Sequence, residues 1–487
     1  MRHPRRALAA LAALAAAAPL PAQGLRLSGT TTVDYVDIQP LVLDSVPIAS
    51  TVDSGSLRQT SNGTIVECVA SPTYCYYYRS SDRVSTAPVM QDLEVSGWGL
   101  TQGLSIYAHA RARTSFGSAS QIWPLSDQHL DLLAAYAELN RSGIRARLGR
   151  QWMTSDLGYY AYDGGDLLWR IRPGLAGEVY GGWGLAQGLT YARTSSALSA
   201  VEDYPPDDRG YIFGFVARYR PSLMGGVSVQ YQREIRTDRA GLYSERIAAA
   251  GDLRVGRVML QANVVNDLAT GDVNDARLRV QLPIAAQLHL AAQVRHYAPF
   301  FELWTIWGAF SPVGYNEASL ESSWSTPGQQ VAVTLSGAYR KYGDTNTGVE
   351  FLPLMTDGWN VGASASWRMA PRWTALGGYR MAIGNGAARS DFDGGLRWQP
   401  GERGYVGVEG TAFQTVEEYV VGKGRVLGLA LDGGYRITGD VRLTGNVALY
   451  HHTGSDAPQL ANWDQRRATV SLQWTVGRDP GIPRGYR

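Results

Sequence analysis

Arg467-Ala468-Thr469-Val470-Ser471-Leu472-Gln473-Trp474-Thr475-Val476 is a run in which every second residue is apolar. A strand sends successive side chains to opposite faces, so this segment has one oily face and one wet face. Its length, about ten residues, is what a tilted strand needs to cross a bilayer. The pattern recurs. Val227, Val229 and Tyr231 alternate with Ser228, Gln230 and Gln232. Leu278, Val280 and Leu282 alternate with Arg277, Arg279 and Gln281. Leu288, Leu290, Ala292 and Val294 oppose His289, Gln293 and Arg295, and Leu443, Val447 and Leu449 oppose Arg442, Thr444 and Asn446. One such segment is a weak signal, and the repetition carries the reading.

Short turn signals divide the chain at Gln102-Gly103, Ser142-Gly143, Pro173-Gly174, Pro221-Ser222, Gly256-Arg257, Ala286-Gln287, Pro327-Gly328, Ala370-Pro371, Pro400-Gly401 and Gly439-Asp440. Between them lie longer connectors, the largest over 41–90, 185–209 and 298–315. Tight turns on one side and long loops on the other are the outer-membrane asymmetry. The spacing predicts an all-β, antiparallel, up-and-down transmembrane barrel of about 22 strands, with a range of about 18 to 24. It occupies residues 23–477, with 41–90 as a long first outer loop and 478–487 as a C-terminal tail.

Residues 1–22 read as a secretory signal, with Arg2, Arg5 and Arg6 before an Ala/Leu run over 7–18 and cleavage near Ala22-Gln23. After residue 22 no apolar run reaches the ~18 residues that a membrane helix needs. The net charge of +2 points to no class of partner, and no nucleic-acid partner is expected. Cys68 and Cys75 sit close together in a polar segment. In an exported chain they predict a small loop-closing disulfide. A haem-attachment motif is absent, and no resident cofactor or metal is expected. His451-His452, near Asp456, reads as exposed, solvated histidine.

Trp98, Trp169, Trp324, Trp367, Trp373 and Trp398 lie within a few residues of the short turns, and Trp474 lies near the same end of its strand. Indole prefers the membrane–water boundary, so these seven predict an aromatic girdle. A soluble sandwich would bury its tryptophans mid-strand. On this reading the polar faces line a lumen rich in arginine: Arg111, Arg113, Arg145, Arg147, Arg277, Arg279, Arg295 and Arg442, with Arg467 on the same side of its strand. Guanidinium in a pore favours anions. The same arginines could instead pair with inward acids such as Glu234 and Glu409, and both readings stand at this point.

Ile144-Arg145-Ala146-Arg147-Leu148-Gly149-Arg150-Gln151, followed by Tyr162-Asp163-Gly164-Gly165, resembles the strand, Gly-Arg-Gln, loop, Asp-Gly passage of porin-like bacterial outer-membrane barrels. The resemblance extends to the strand and turn layout and the closing strand. It departs where residues 477–487 continue past the point at which porins end on an aromatic residue. It implies a location in the bacterial outer membrane, contact with its lipid, and insertion by the barrel insertion machinery. Asp163, Gly164 and Gly165 become candidates for a constriction loop folded into the lumen; the plainer alternative is a tight turn.

The function that follows is a channel for small hydrophilic solutes, anionic ones among them. The alternative is a sheath around a multihaem cytochrome, a separate chain in the lumen, because about 22 strands make a wide barrel. Self-association into a homo-oligomer stays open. A TonB-dependent receptor also has 22 strands, but a first strand starting at about Leu25 leaves no space for its plug domain. No Ser/His/Asp or paired-carboxylate constellation is evident, so an enzyme is not expected.

Overall fold

The computed structural model describes residues 24–477 except 40, 55–56, 63, 69–72, 118–129, 186–209, 237–240, 299–313, 344–355, 385–386, 416–423 and 454–461. The signal-like segment, the C-terminal tail, Lys423 and Asp456 lie outside the described residues.

Twenty-two strands form one antiparallel sheet in which each pairs with its neighbour in sequence. The first strand, Gly24–Ile38, pairs with Val84–Thr101 on one side and with the last strand, Trp463–Gly477, on the other. The closing ladder runs from Arg26 opposite Gly477 to Asp37 opposite Arg466. Backbone amides in hydrocarbon have no water to bond, and a closed cylinder leaves no unpaired edge there. The strand number and the up-and-down order are those the alternation predicts. All the short turns are present. Three are displaced: Pro221-Ser222, Ala370 and Pro400-Gly401 belong to their strands, and the turns fall at Leu223-Met224, Pro371-Arg372 and Glu402-Arg403.

Alternation sorts the side chains as expected. Val33, Val470 and Val476 are exposed on the outer face, as are Leu278, Val294 and Leu443. Inner-face partners such as Asp34 and Thr469 bond one another across the seam, the Thr469 hydroxyl donating to Asp34 at 2.6 Å.

The first outer loop is shorter than 41–90. The strand Val84–Thr101 already pairs with the first strand from Ile38 opposite Val84. Pro88 hides this in the sequence: proline has no amide to donate, and the ladder skips from Val33–Val89 to Val36–Thr86 at that point. The loop carries two small sheets of its own. Leu41–Pro47 pairs with Tyr74–Ser80, and Thr51–Ser54, Leu57–Thr60 and Ile65–Val66 form the other. Cys68 and Cys75 are joined in a disulfide that ties the second sheet to the first. Outside the membrane, Arg79 bonds Asp44 at 2.6 Å and holds that carboxyl below its usual range. Neither small sheet pairs with the barrel wall.

Val470 lies at the middle of the last strand on the outer face. Val470→Arg should therefore lower stability in urea titrations of the lipid-reconstituted protein by about 2–4 kcal/mol. Ser471→Arg, on the inner face, should cost much less.

Candidate functional site

One segment of the wall leaves the cylinder. The strand Ile144–Ser155 pairs with Leu130–Arg141 only as far as Arg150 opposite Ala135. The strand Gly158–Arg172 pairs with Leu175–Gly184 only from Tyr162 onward. Residues between these limits pair across the hairpin, from Trp152 opposite Ala161 to Ser155 opposite Gly158, and the Ala161 carbonyl also accepts the Leu185 amide at 2.8 Å. Beyond Arg150 the arm Ile144–Ser155 has therefore parted from its outer neighbour Leu130–Arg141.

The hairpin turns into the lumen. Its tip residues Leu157 and Tyr160 are buried in one cluster with Tyr162, Tyr180, Ile212, Val216, Ala248 and Val265. Those wall residues alternate with exposed Val179, Phe213, Phe215 and Val264, which face lipid, so the cluster lies on the inner surface. On the other side Trp152 meets Tyr107 edge to face, with centroids 6.1 Å apart. The Arg246 guanidinium lies over the Tyr160 ring, 5.6 Å from its centre.

The base of the hairpin explains the Gly-Arg-Gln and Asp-Gly-Gly sequences. Arg150 grips Asp163 with two bonds, 2.6 and 2.8 Å, and donates a third at 2.9 Å to the Leu132 carbonyl. That carbonyl is on the strand edge the departing hairpin leaves open, so the arginine replaces a ladder bond. Gln151, fully buried, donates to the Gly164 carbonyl at 3.3 Å. Gly149 has φ of 134°, and a Cβ there would stand 2.2 Å from the Ala135 carbonyl oxygen. A Cβ on Gly164 would stand 2.1 Å from the Gly181 oxygen. Strands crowd here, and glycine is what fits.

Asp163, Gly164 and Gly165 thus correct the expectation of a loop. They are paired wall residues, opposite Arg150, Gly149 and Leu148, at the base of the inward hairpin. Sequence reading missed it because residues 151–161 keep strand-like alternation; what changes is which neighbour they pair with.

Below the hairpin the predicted arginines form a lattice. Glu138 meets Arg147 at 3.1 Å, and Arg147 meets Asp166 at 3.6 Å. Asp166 meets Arg145 at 3.3 Å, Arg145 meets Glu178 at 2.7 Å, and Glu178 meets Arg218 at 2.7 Å. Opposite charges alternate across five strands, with Asp166 and Glu178 nearly buried. A cavity of about 350 Å³ opens beside them, bounded by Trp152, Met153 and Tyr162 of the hairpin. Arg111 and His109 share Asp92, at 2.8 and 3.1 Å, and Arg113 meets Asp131 at 2.9 Å. Further round, Arg295 meets Asp275 at 2.9 Å and Arg279 meets Glu321 at 3.5 Å. Among the described residues neither Arg277 nor Arg442 lies within ion-pair distance of a carboxylate; both are exposed. Arg467 lies over the Tyr450 ring. The acids that meet these arginines lie one strand away, as Asp92, Asp131, Glu138, Asp166 and Asp275 do, or two strands away, as Glu178 and Glu321 do, which only the register reveals.

Six of the seven girdle tryptophans sit on the lipid face. Trp169, Trp324, Trp367, Trp373 and Trp398 are exposed there, and Trp373 stacks on Trp398. Trp474 lies opposite Gly29 and Val441 on the same face. Trp98 is the correction. It pairs with Gly24 and Ser105, on the opposite face from exposed Leu25 and Ile106, and so points into the lumen. The register is regular up to Trp98, and alternation places it on the face of Asp92, Glu94 and Ser96; nearness to the turn alone suggested the girdle. The opposite rim has lipid-facing Trp183 beside Tyr211, and Trp359 beside Tyr339, which the reading of turns did not seek. Among the described residues no group of three His, Cys, Asp or Glu side chains is placed to hold a metal ion.

Arg150→Ala removes three bonds at the hairpin base. It should raise the hydrogen exchange of residues 152–161 by an amount equivalent to about 2 kcal/mol, leaving the rest of the barrel protected. Arg150→Lys should rescue this poorly, since an ammonium cannot reproduce the fork.

No family model and no curated protein matches the chain. Solved structures of similar shape include the translocation pore of the P pilus usher PapC (10% identity, covering 93% of this chain and 99% of that one, TM-score 0.46). OccAB4 of Acinetobacter baumannii is another (9%, 95% and 100%, TM-score 0.41), as is the siderophore receptor PirA from Pseudomonas aeruginosa (10%, 93% and 80%, TM-score 0.45). The closed 22-strand wall, its apolar outer face and its tryptophan girdle make this chain a bacterial outer-membrane β-barrel of porin-like architecture.

Proposed function

We propose that the barrel is a channel for small hydrophilic solutes, narrowed by the inward hairpin. The observation that carries the reading is the hairpin's position. A barrel of 22 strands is wide, and an element anchored by Arg150 and packed on the inner wall through Leu157 and Tyr160 supplies the narrowing that a selective pore needs. The lumen wall supports it as well, being lined by ionic and polar side chains that keep water.

Charge selectivity on this reading is mild. Six of the eight predicted pore arginines have a carboxylate partner, so their fields are largely cancelled locally. Arg277 and Arg442 remain to favour anions. A cytochrome sheath is less well supported, because the hairpin and its cluster occupy lumen space that a partner protein would need.

Single-channel conductance in planar bilayers tests the channel. Replacing residues 152–161 by two glycines should raise conductance about twofold, as expected when a constriction inside a wide barrel is removed. A barrel that conducts in neither form would overturn the reading. Asp166→Asn frees Arg145 and Arg147 of one negative partner. The reversal potential in a salt gradient should then move toward the anion equilibrium potential; movement toward the cation potential would overturn the assignment of this lattice to the pore wall.

A further inference from the structure

Four consecutive strands at and beside the seam change character toward the outer end of the lipid face. Outward apolar positions climb through Leu431, Leu429 and Leu427, through Val447 and Leu449, through Val470 and Ala468, and through Val33 and Tyr35. The next outward positions are Arg425, His451, Arg466 and Asp37. Leu427 stands opposite His451, His451 opposite Asp464, and Arg466 opposite Asp37. The residues are therefore neighbours on one surface.

Their height can be estimated. Arg466 lies eight positions along its strand from Trp474 of the inner girdle. At ~3.3 Å per residue and a tilt of ~40°, that is about 20 Å of rise. The apolar band of such barrels is about 25 Å tall. The cluster thus sits at the outer edge of the hydrocarbon, where lipid head groups begin.

Its charges do not balance. Arg83 joins Asp37 at 3.0 Å and Asp464 at 3.5 Å, and Asp464 also takes His451 at 2.6 Å. Those two carboxylates are thereby in direct contact with Arg83 and His451, and Arg466 acts on Asp464 only from longer range. Arg425 and Arg466 are exposed, and among the described residues neither has a carboxylate within ion-pair distance. Elsewhere on the same rim the outward arginines are matched, Arg150 by Asp163 and Arg233 by Glu245. Exposed guanidinium at head-group height is complementary to phosphate, which it binds as a fork.

We infer that the seam carries a binding site for phosphate-bearing lipid head groups of the outer leaflet, with Arg425 and Arg466 as its principal contacts. They are parted by an intervening strand, about 10 Å sideways, and by four positions along it, since Arg466 stands opposite Leu449 and Arg425 opposite Thr453, so they take separate phosphates. His451 and Arg83 fill the surface between them. The site lies where the first and last strands close the barrel and where the first outer loop is rooted through Arg83. Bound lipid would brace that junction.

Native mass spectrometry of the detergent-purified full chain tests this with doubly phosphorylated lipid A and with the same lipid after dephosphorylation. The phosphorylated form should be retained preferentially. The double variant Arg425→Ala/Arg466→Ala should weaken its binding about 25-fold, at about fivefold per arginine. Arg372→Ala, at an inner turn, should leave it unchanged. Equal retention of the two lipids would overturn the site without reference to any variant, as would unchanged binding by a folded double variant. Displacement of the lipid by millimolar inorganic phosphate alone would assign the arginines to free phosphate and overturn the lipid as occupant.

Discussion

Inside hydrocarbon an unpaired backbone amide has nothing to bond, and each one costs several kcal/mol. Almost everything else in this molecule answers to that condition. The first and last strands, more than four hundred residues apart in the sequence, must lie side by side, and their ladder of Arg26–Gly477 to Asp37–Arg466 removes the last free edges. Alternation follows, because a wall one strand thick has only two faces. The condition also bounds where the wall may open. The hairpin parts from the strand Leu130–Arg141 toward the outer end, and there the Arg150 side chain donates to the Leu132 carbonyl.

The lumen is built on a second electrostatic economy. An arginine beside a low-dielectric wall is costly unless partnered, and the register of antiparallel strands places an acid on the adjacent strand within reach of most of them. The run Glu138, Arg147, Asp166, Arg145, Glu178, Arg218 is held together this way. Such a lattice stiffens side chains that would otherwise sweep the pore, and it trades a strong anion field for a water-wetted, nearly neutral surface. The lipid face shows the complementary situation. There the charges appear only at the rims, and the seam is where cations outnumber their partners.

Much of this was legible in the sequence. Alternation around Val470, together with the short turns, predicts the number and order of the strands, because both depend only on local period and chain direction. Glycine and arginine in Gly149-Arg150-Gln151 and Asp163-Gly164-Gly165 marked a special place. What they do there was not legible, since the hairpin differs from the wall in its partners and not in its own pattern. Trp98 shows a different limit: nearness to a turn suggested the girdle, while its parity with Glu94 and Ser96 sends it into the lumen. Pro88 hid the start of a strand because its neighbours Ser85, Thr86 and Ala87 carry little alternation.

The chain's own pattern determined which residues face lipid and which face water, since that is set by a two-residue period that every strand carries within itself. Only the tertiary structure decided which arginine meets which acid, which strands part to let the hairpin into the lumen, and which charges gather at the seam. Those depend on stagger between strands distant in sequence, and no local period encodes the stagger.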